Sequence, residues 1–240
     1  MIKSIRHQLY NPRADYSVFS QGDATFGFRA WLLRPPTESR RNIGVGVSLK
    51  APTGRFRVSS PALDAQGNRI IANADQSIQP GDGGTGFTMD LNAYTPAYFG
   101  SWLYFQSTYL VNPRNTNGVA TFRNRIQERY FSVTDQYLVR GGVTRLIPWQ
   151  RRVAFSFGGR WEGVPVRDLL GRSEGFRRPG YAIAVEPGLM AGFGKHTVYF
   201  SAPIAVERNR RKSLSDYANR VHGDAAFADY SLIMGISRRF

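Results

Sequence analysis

The chain runs to 240 residues with 13% aromatic and 20% charged side chains and no cysteine, a make-up that excludes a disordered chain and suits one sizeable domain. Its formal charge of +15, from 32 Lys and Arg against 17 Asp and Glu, is spread through nearly every polar connection, which argues against a nucleic-acid binder. No run approaches eighteen apolar residues and mean hydropathy is −0.35; this excludes membrane-spanning helices but not strands, since a barrel strand crosses in about 9–11 residues with every second one apolar.

The opening Met1-Ile2-Lys3-Ser4-Ile5-Arg6-His7 is followed by neither an apolar run nor a small-residue cleavage site, so it does not read as a secretory leader. Residues 1–23 are expected to be loop or part of a strand, Tyr16–Phe19 being β-like. From there the dominant signal is period-two alternation, which sends successive side chains to opposite faces of a strand. Phe26, Phe28, Ala30 and Leu32 alternate with Thr25, Gly27, Arg29 and Trp31. Ile43, Val45, Val47 and Leu49 alternate with Gly44, Gly46, Ser48 and Lys50, and Phe87, Met89 and Leu91 with Thr88, Asp90 and Asn92. Two weaker strands are expected near Trp102–Val111 and Tyr137–Ile147.

Four clear strands follow. Arg152–Gly163 sets Val153, Phe155, Phe157 and Trp161 against Ala154, Ser156, Gly158, Arg160 and Glu162. Tyr181–Phe193 sets Tyr181, Ile183, Val185 and Leu189 against Ala182, Ala184, Glu186 and Gly188. His196–Glu207 sets Val198, Phe200, Ile204 and Val206 against Thr197, Tyr199, Ser201, Ala205 and Glu207. Ala228–Phe240 sets Tyr230, Leu232, Met234 and Ile236 against Asp229, Ser231, Ile233 and Gly235. Nine strands are expected in all.

A soluble sandwich also alternates, so the composition of the second face matters. It is rich in Gly, Ala and Ser with scattered charges of both signs, which suits the inner wall of a barrel. The candidates for a charged lumen are Arg29, Lys50, Asp90, Arg140, Arg160, Glu162, Glu186, Glu207 and Asp229. They would filter solutes by charge, or merely hold the wall together through internal ion pairs. Aromatics on the apolar face (Tyr181, Phe193, Trp161, Tyr230, Phe240) fall near strand ends, as interfacial girdles do.

Connections sort by length. Arg55–Gly84, Arg114–Gln136, Arg167–Gly180 and Arg208–Phe227 are long; Pro35–Asn42, Tyr98–Gly100, Pro148–Arg151 and Gly194–Lys195 are short. Long outer loops alternating with short periplasmic turns are the asymmetry of an outer-membrane barrel. The fold expected is therefore all-β, an antiparallel transmembrane β-barrel with about nine strands in this chain. Strict alternation sends the ninth strand inward, ending at Phe240, an aromatic terminus that barrel-assembly machinery would recognise. It also makes the first strand run inward. Because single-chain bacterial barrels have even strand numbers, further N-terminal sequence and an intact barrel of roughly 10–12 strands are expected.

Several segments resemble the outer-membrane family of transporters assigned to the MetA pathway of phenol degradation. They are Gly22-Asp23, Leu49-Lys50-Ala51-Pro52-Thr53-Gly54, Pro80-Gly81-Asp82-Gly83-Gly84 and Val185-Glu186-Pro187-Gly188-Leu189. The resemblance implies an outer-membrane channel for small solutes, including hydrophobic or aromatic ones.

Little else carries chemistry. His7 and His196 lack metal-ligand spacing, and no cofactor is expected. His222 lies near Asp216 and Asp224, where a His–carboxylate pair would activate water, though polar loops produce such neighbours by chance. Gly81–Gly86 lacks the following Lys-Ser/Thr of a phosphate cradle. The loop arginines Arg123, Arg125, Arg177, Arg178, Arg208, Arg210 and Arg211 read either as contacts to lipopolysaccharide phosphates or as a solvated basic surface. A passive outer-membrane channel without catalysis is the leading expectation. A structural or adhesive barrel with a plugged lumen, an outer-membrane hydrolase and a soluble β-sandwich binder are the alternatives.

Overall fold

The computed structural model describes residues 2–7, 14–63, 66–121, 125–223 and 227–238. The fold is mostly antiparallel β-sheet, 56% strand and 7% helix, dominated by a curled half-barrel sheet of nine strands. The expected nine all form. In chain order they are β3 (Ala24–Trp31), β4 (Asn42–Ala51), β7 (Gly86–Pro96), β8 (Ser101–Val111), β11 (Gln136–Ile147), β12 (Gln150–Val164), β13 (Gly180–Phe193), the pair β14 (His196–Ser201) and β15 (Ile204–Arg210), and β16 (Ile233–Arg238). Each pairs with its sequence neighbour in the sheet. The numbers missing from this run belong to small hairpins: β1 (Ile2–His7) with β2 (Ala14–Phe19), β5 (Ser59–Leu63) with β6 (Arg69–Asn73), and β9 (Thr116–Ala120) with β10 (Tyr130–Ser132).

β14 and β15 are one strand interrupted at Ala202-Pro203. Proline has no N–H to give to a ladder, yet Ala202 N still donates to Pro187 O at 3.0 Å, so both halves stay on β13. The last strand is also longer than its regular part. Ala205 N donates to Asp229 O at 2.8 Å and Ser231 N to Pro203 O at 3.0 Å, carrying pairing back to Asp229.

Register confirms the two faces. Across neighbouring strands Phe28 faces Val47, Val47 faces Met89, and Met89 faces Tyr109; farther round, Trp161 faces Ile183, Leu189 faces Phe200, and Phe200 faces Met234. The bulky apolar side chains thus form one continuous band. It is exposed: Phe28 is 92%, Met234 77% and Ile236 69% accessible.

The long connections all leave one end of the sheet and the short turns the other, as alternation requires. The half-barrel remains open. Among the described residues the outer edge of β3 and that of β16 carry no further strand, and both strands run from the long-connection end toward the short-turn end, so an odd number of strands presents two edges of the same direction. The long connections are not extended loops. They fold into a cap with two small cores, Val119–Phe131–Phe176 beside Phe56, and Ala74–Ile78 beside Val58 closed by Val18 of the β1–β2 hairpin.

Candidate functional site: the inner wall and its cap

Period two places Asp90, Gln106, Arg140, Arg160 and Glu186 on one face of adjacent strands, and the sheet's curl turns that face inward. Thr108 Oγ1 donates to Asp90 Oδ1 at 2.7 Å. Arg140 Nε donates to Gln106 Oε1 at 2.8 Å, and its Nη1 reaches Glu186 Oε1 at 3.0 Å. Arg160 Nη2 donates to Glu162 Oε2 at 2.6 Å and its Nη1 lies 3.9 Å from Glu186 Oε2. The result is a belt of mixed charge crossing five strands, with buried Glu186 facing both arginines. Glycines make room for it. A Cβ on Gly158 would stand 2.6 Å from the Tyr104 hydroxyl, and one on Gly142 2.9 Å from it, so Tyr104 lies across two residues that have no side chain.

Where inner wall meets cap, three of the four motifs behind the family resemblance converge, those at residues 22–23, 49–54 and 80–84. Lys50, almost fully buried, is paired with Asp82 and lies 3.5 Å from Asp23. Asp23 accepts from Gly54 N at 2.9 Å and Asp82 N at 3.3 Å, while Asp82 Oδ1 accepts from Gly84 N at 2.8 Å. A Cβ on Gly54 would sit 2.9 Å from Gly81 Cα, and one on Gly81 2.6 Å from Gly54 O. The glycines therefore let two loop backbones touch around one lysine. Beside this knot is a cavity of about 530 Å³ lined by Lys50, Asp82, Gln76, Thr134, Gln136 and Arg178 among others.

The cap is tied by buried ion pairs. Arg177 is fully buried; Nη1 donates to Asp168 Oδ1 at 2.9 Å, Nη2 bonds the second carboxylate oxygen, and Nη2 reaches Ser132 Oγ at 2.6 Å. Asp135 accepts from Asn112 N and Leu169 N, both at 2.7 Å, and its own N donates to Asp168 at 2.9 Å. Arg178 forms a two-bond fork with Asp75, 2.9 Å on each arm. Burial pushes the Asp75 carboxyl up, but the Arg178 fork and the hydrogen bonds from Ser77 outweigh it and hold the pKa down at about 2. Arg210 pairs with Asp216 at 3.2 Å, and Ser215 Oγ donates to Glu128 Oε1 at 3.3 Å. These contacts link all four long connections to one another.

The expected lumen residues divide accordingly. Asp90, Arg140, Arg160, Glu162 and Glu186 form the belt. Lys50 belongs to the cap junction, and Arg29 is exposed on the edge strand. Asp229 is ion-paired with Arg208. Glu207 lies on the other face: a bulge in the β13–β15 ladder makes it face Ile183, and it accepts from the Tyr181 hydroxyl at 2.7 Å. One extra residue in a strand flips everything after it.

The loop arginines divide as well. Arg177, Arg178, Arg208 and Arg210 are held by Asp168, Asp75, Asp229 and Asp216. Arg125 is 3.5 Å from Glu128 but still half exposed, and Arg211 is exposed. Arg123, Asp224 and Phe240 lie outside the described residues. His222 is exposed with Nδ1 3.2 Å from Gly223 O. Asp216 Oδ2 accepts from Ser213 N at 2.8 Å in a capping box at the start of α1 (Leu214–Ala218) and also from Arg210. Among the described residues no cluster of His, Cys, Asp or Glu has metal-binding arrangement. Compared with known proteins, the chain matches no family model and no curated protein.

Proposed function

We propose that this chain forms the wall of an outer-membrane β-barrel that acts as a passive channel for small solutes, its apolar band against lipid and its charged belt against water. The single observation carrying this reading is the sorting of the two faces. An exposed patch of bulky side chains far larger than the few hundred Å² usual on soluble monomers needs covering, and the opposite face holds a belt of paired charges that hydrocarbon would not tolerate. Small residues on the belt side leave room for a path, and the cavity beside Lys50 lies at its capped end. The family resemblance agrees with this reading and extends it to hydrophobic or aromatic cargo; lipopolysaccharide and barrel-assembly machinery are the partners it implies.

Planar-bilayer conductance and solute efflux from liposomes test the channel. Stepwise conductance supports it; inserted protein with neither conductance nor efflux defeats it.

The folded cap favours a second reading, a plugged barrel whose outer connections bind a partner. Replacing the β5–β6 hairpin by a short Gly-Ser link separates the two while sparing Asp82 and Asp75. Raised conductance fits a gated channel; unchanged permeability with loss of partner binding fits the plugged barrel.

A further inference from the structure

At the cap end of the apolar face lies a groove of about 450 Å³, lined by Tyr109, Val139, Tyr137, Trp161, Tyr181 and Arg211 among others. The rings belong to four neighbouring strands whose register puts Tyr109 beside Tyr137 and Trp161 beside both Val139 and Ile183. Trp161 and Tyr137 meet edge to face at 5.0 Å between centroids. Two phenol hydroxyls are already committed, Tyr109 to Asp135 at 3.1 Å and Tyr181 to Glu207 at 2.7 Å. What the groove offers a ligand is therefore ring faces along its floor and one cation at its outer rim. The basic residues just before Arg211 are occupied, Arg208 by Asp229 and Arg210 by Asp216. Arg211 is exposed, and its guanidinium has no acidic partner among the described residues.

We propose that this groove is a binding site for one lipid with a phosphomonoester head group, its acyl chain on the Tyr137–Trp161 floor and its free phosphate on Arg211. The proposal rests on the membrane reading above and narrows it to a single position. An apolar slot continuous with a lipid-facing band suits a hydrocarbon chain, and a guanidinium where that band meets the polar cap suits a phosphate, to which it donates two parallel hydrogen bonds. Tyrosine and tryptophan at this depth are the side chains expected to bridge the two environments.

The test is native mass spectrometry of the folded full chain in detergent micelles, titrated with dimyristoyl phosphatidic acid or with phosphatidylcholine of the same chains. One retained phosphatidic acid is expected, held about tenfold less tightly by Arg211→Gln, weakened also by Trp161→Ala, and unchanged by Arg129→Gln, which alters another exposed loop arginine. Inorganic phosphate alone should not compete. Equal retention of both lipids, undiminished retention by Arg211→Gln, or displacement by inorganic phosphate overturns the site. A chain that folds and stays monodisperse without micelles overturns the membrane reading beneath it, an outcome visible before any lipid is added.

Discussion

Arg140 and Glu186 sit on strands that are not neighbours, yet Arg140 Nη1 donates to Glu186 Oε1 at 3.0 Å over the intervening β12. The reach is possible because the strand between them presents Gly158, which pairs with Glu186, so no side chain stands in the way. The bond is the keystone of the belt, since Glu186 also faces Arg160.

Glu186→Gln should therefore leave two arginines on the inner wall short of one negative charge. Arg140 is a third exposed and Glu186 nearly buried, so the stability cost is expected at about 1–3 kcal/mol, below that of a fully buried pair. If the wall lines a channel, the same change moves permeability toward anions. Urea unfolding in micelles reads the first effect and the reversal potential in a salt gradient reads the second.

The two faces should answer differently to one substitution. Met234→Arg puts a cation on the apolar band and is expected to cost about 2–4 kcal/mol near the bilayer midplane. Gly235→Arg, one residue along, turns to the inner wall, where Tyr199 covers the glycine, and its cost is steric. Shortening the covering side chain distinguishes them: Tyr199→Ala should rescue Gly235→Arg and leave Met234→Arg unrescued, by the same unfolding assay.

Arg177 shows how much of the fold the sequence displayed. All nine sheet strands follow from alternation, because one face must be apolar and the other polar whatever lies beyond. The cap does not follow. Its Arg-Arg pair reads as solvated surface, while burial of Arg177 depends on Asp168 nine residues back and Ser132 forty-five back. Phe56, Val119, Phe131 and Phe176 form a core from three separate connections, with no period to betray them. Parity puts Glu207 on the wrong face for a local reason: the bulge beside Val206 breaks the alternation without a marker in composition. The convergence of Asp23, Lys50 and Asp82 is signalled only by the glycines of Gly54 and Gly81-Asp82-Gly83-Gly84, whose role in close backbone approach needs the folded chain.

Arg177→Met leaves Asp168 buried without its fork and is expected to cost about 3–5 kcal/mol, the usual penalty for stranding a buried charge. The loss should concentrate in the cap. Amide hydrogen exchange should rise in residues 112–135 and 165–179 while the sheet from β7 to β13 stays protected.

The Asp75–Arg178 fork gives the cap a defined acid response. Asp75 has its folded pKa depressed to about 2 from 3.8, so its contribution is complete above about pH 4 and is lost as pH falls through about 2. Asp75→Asn should destabilise the cap at neutral pH, and the gap from the unmodified protein should close between about pH 4 and pH 2. Stability measured for both proteins across that window checks the sign.

The central claim, that the alternating apolar face meets lipid, is tested most directly by spin-label accessibility in reconstituted bilayers. The chain lacks cysteine, so single substitutions at consecutive positions of β4 and β7 (Val45→Cys through Ser48→Cys, and Met89→Cys with Asp90→Cys) place one label each. Labels at positions 45, 47 and 89 should collide freely with oxygen and be shielded from a polar nickel complex, with the reverse at 46, 48 and 90. Equal access of the nickel complex to both sets would contradict the account.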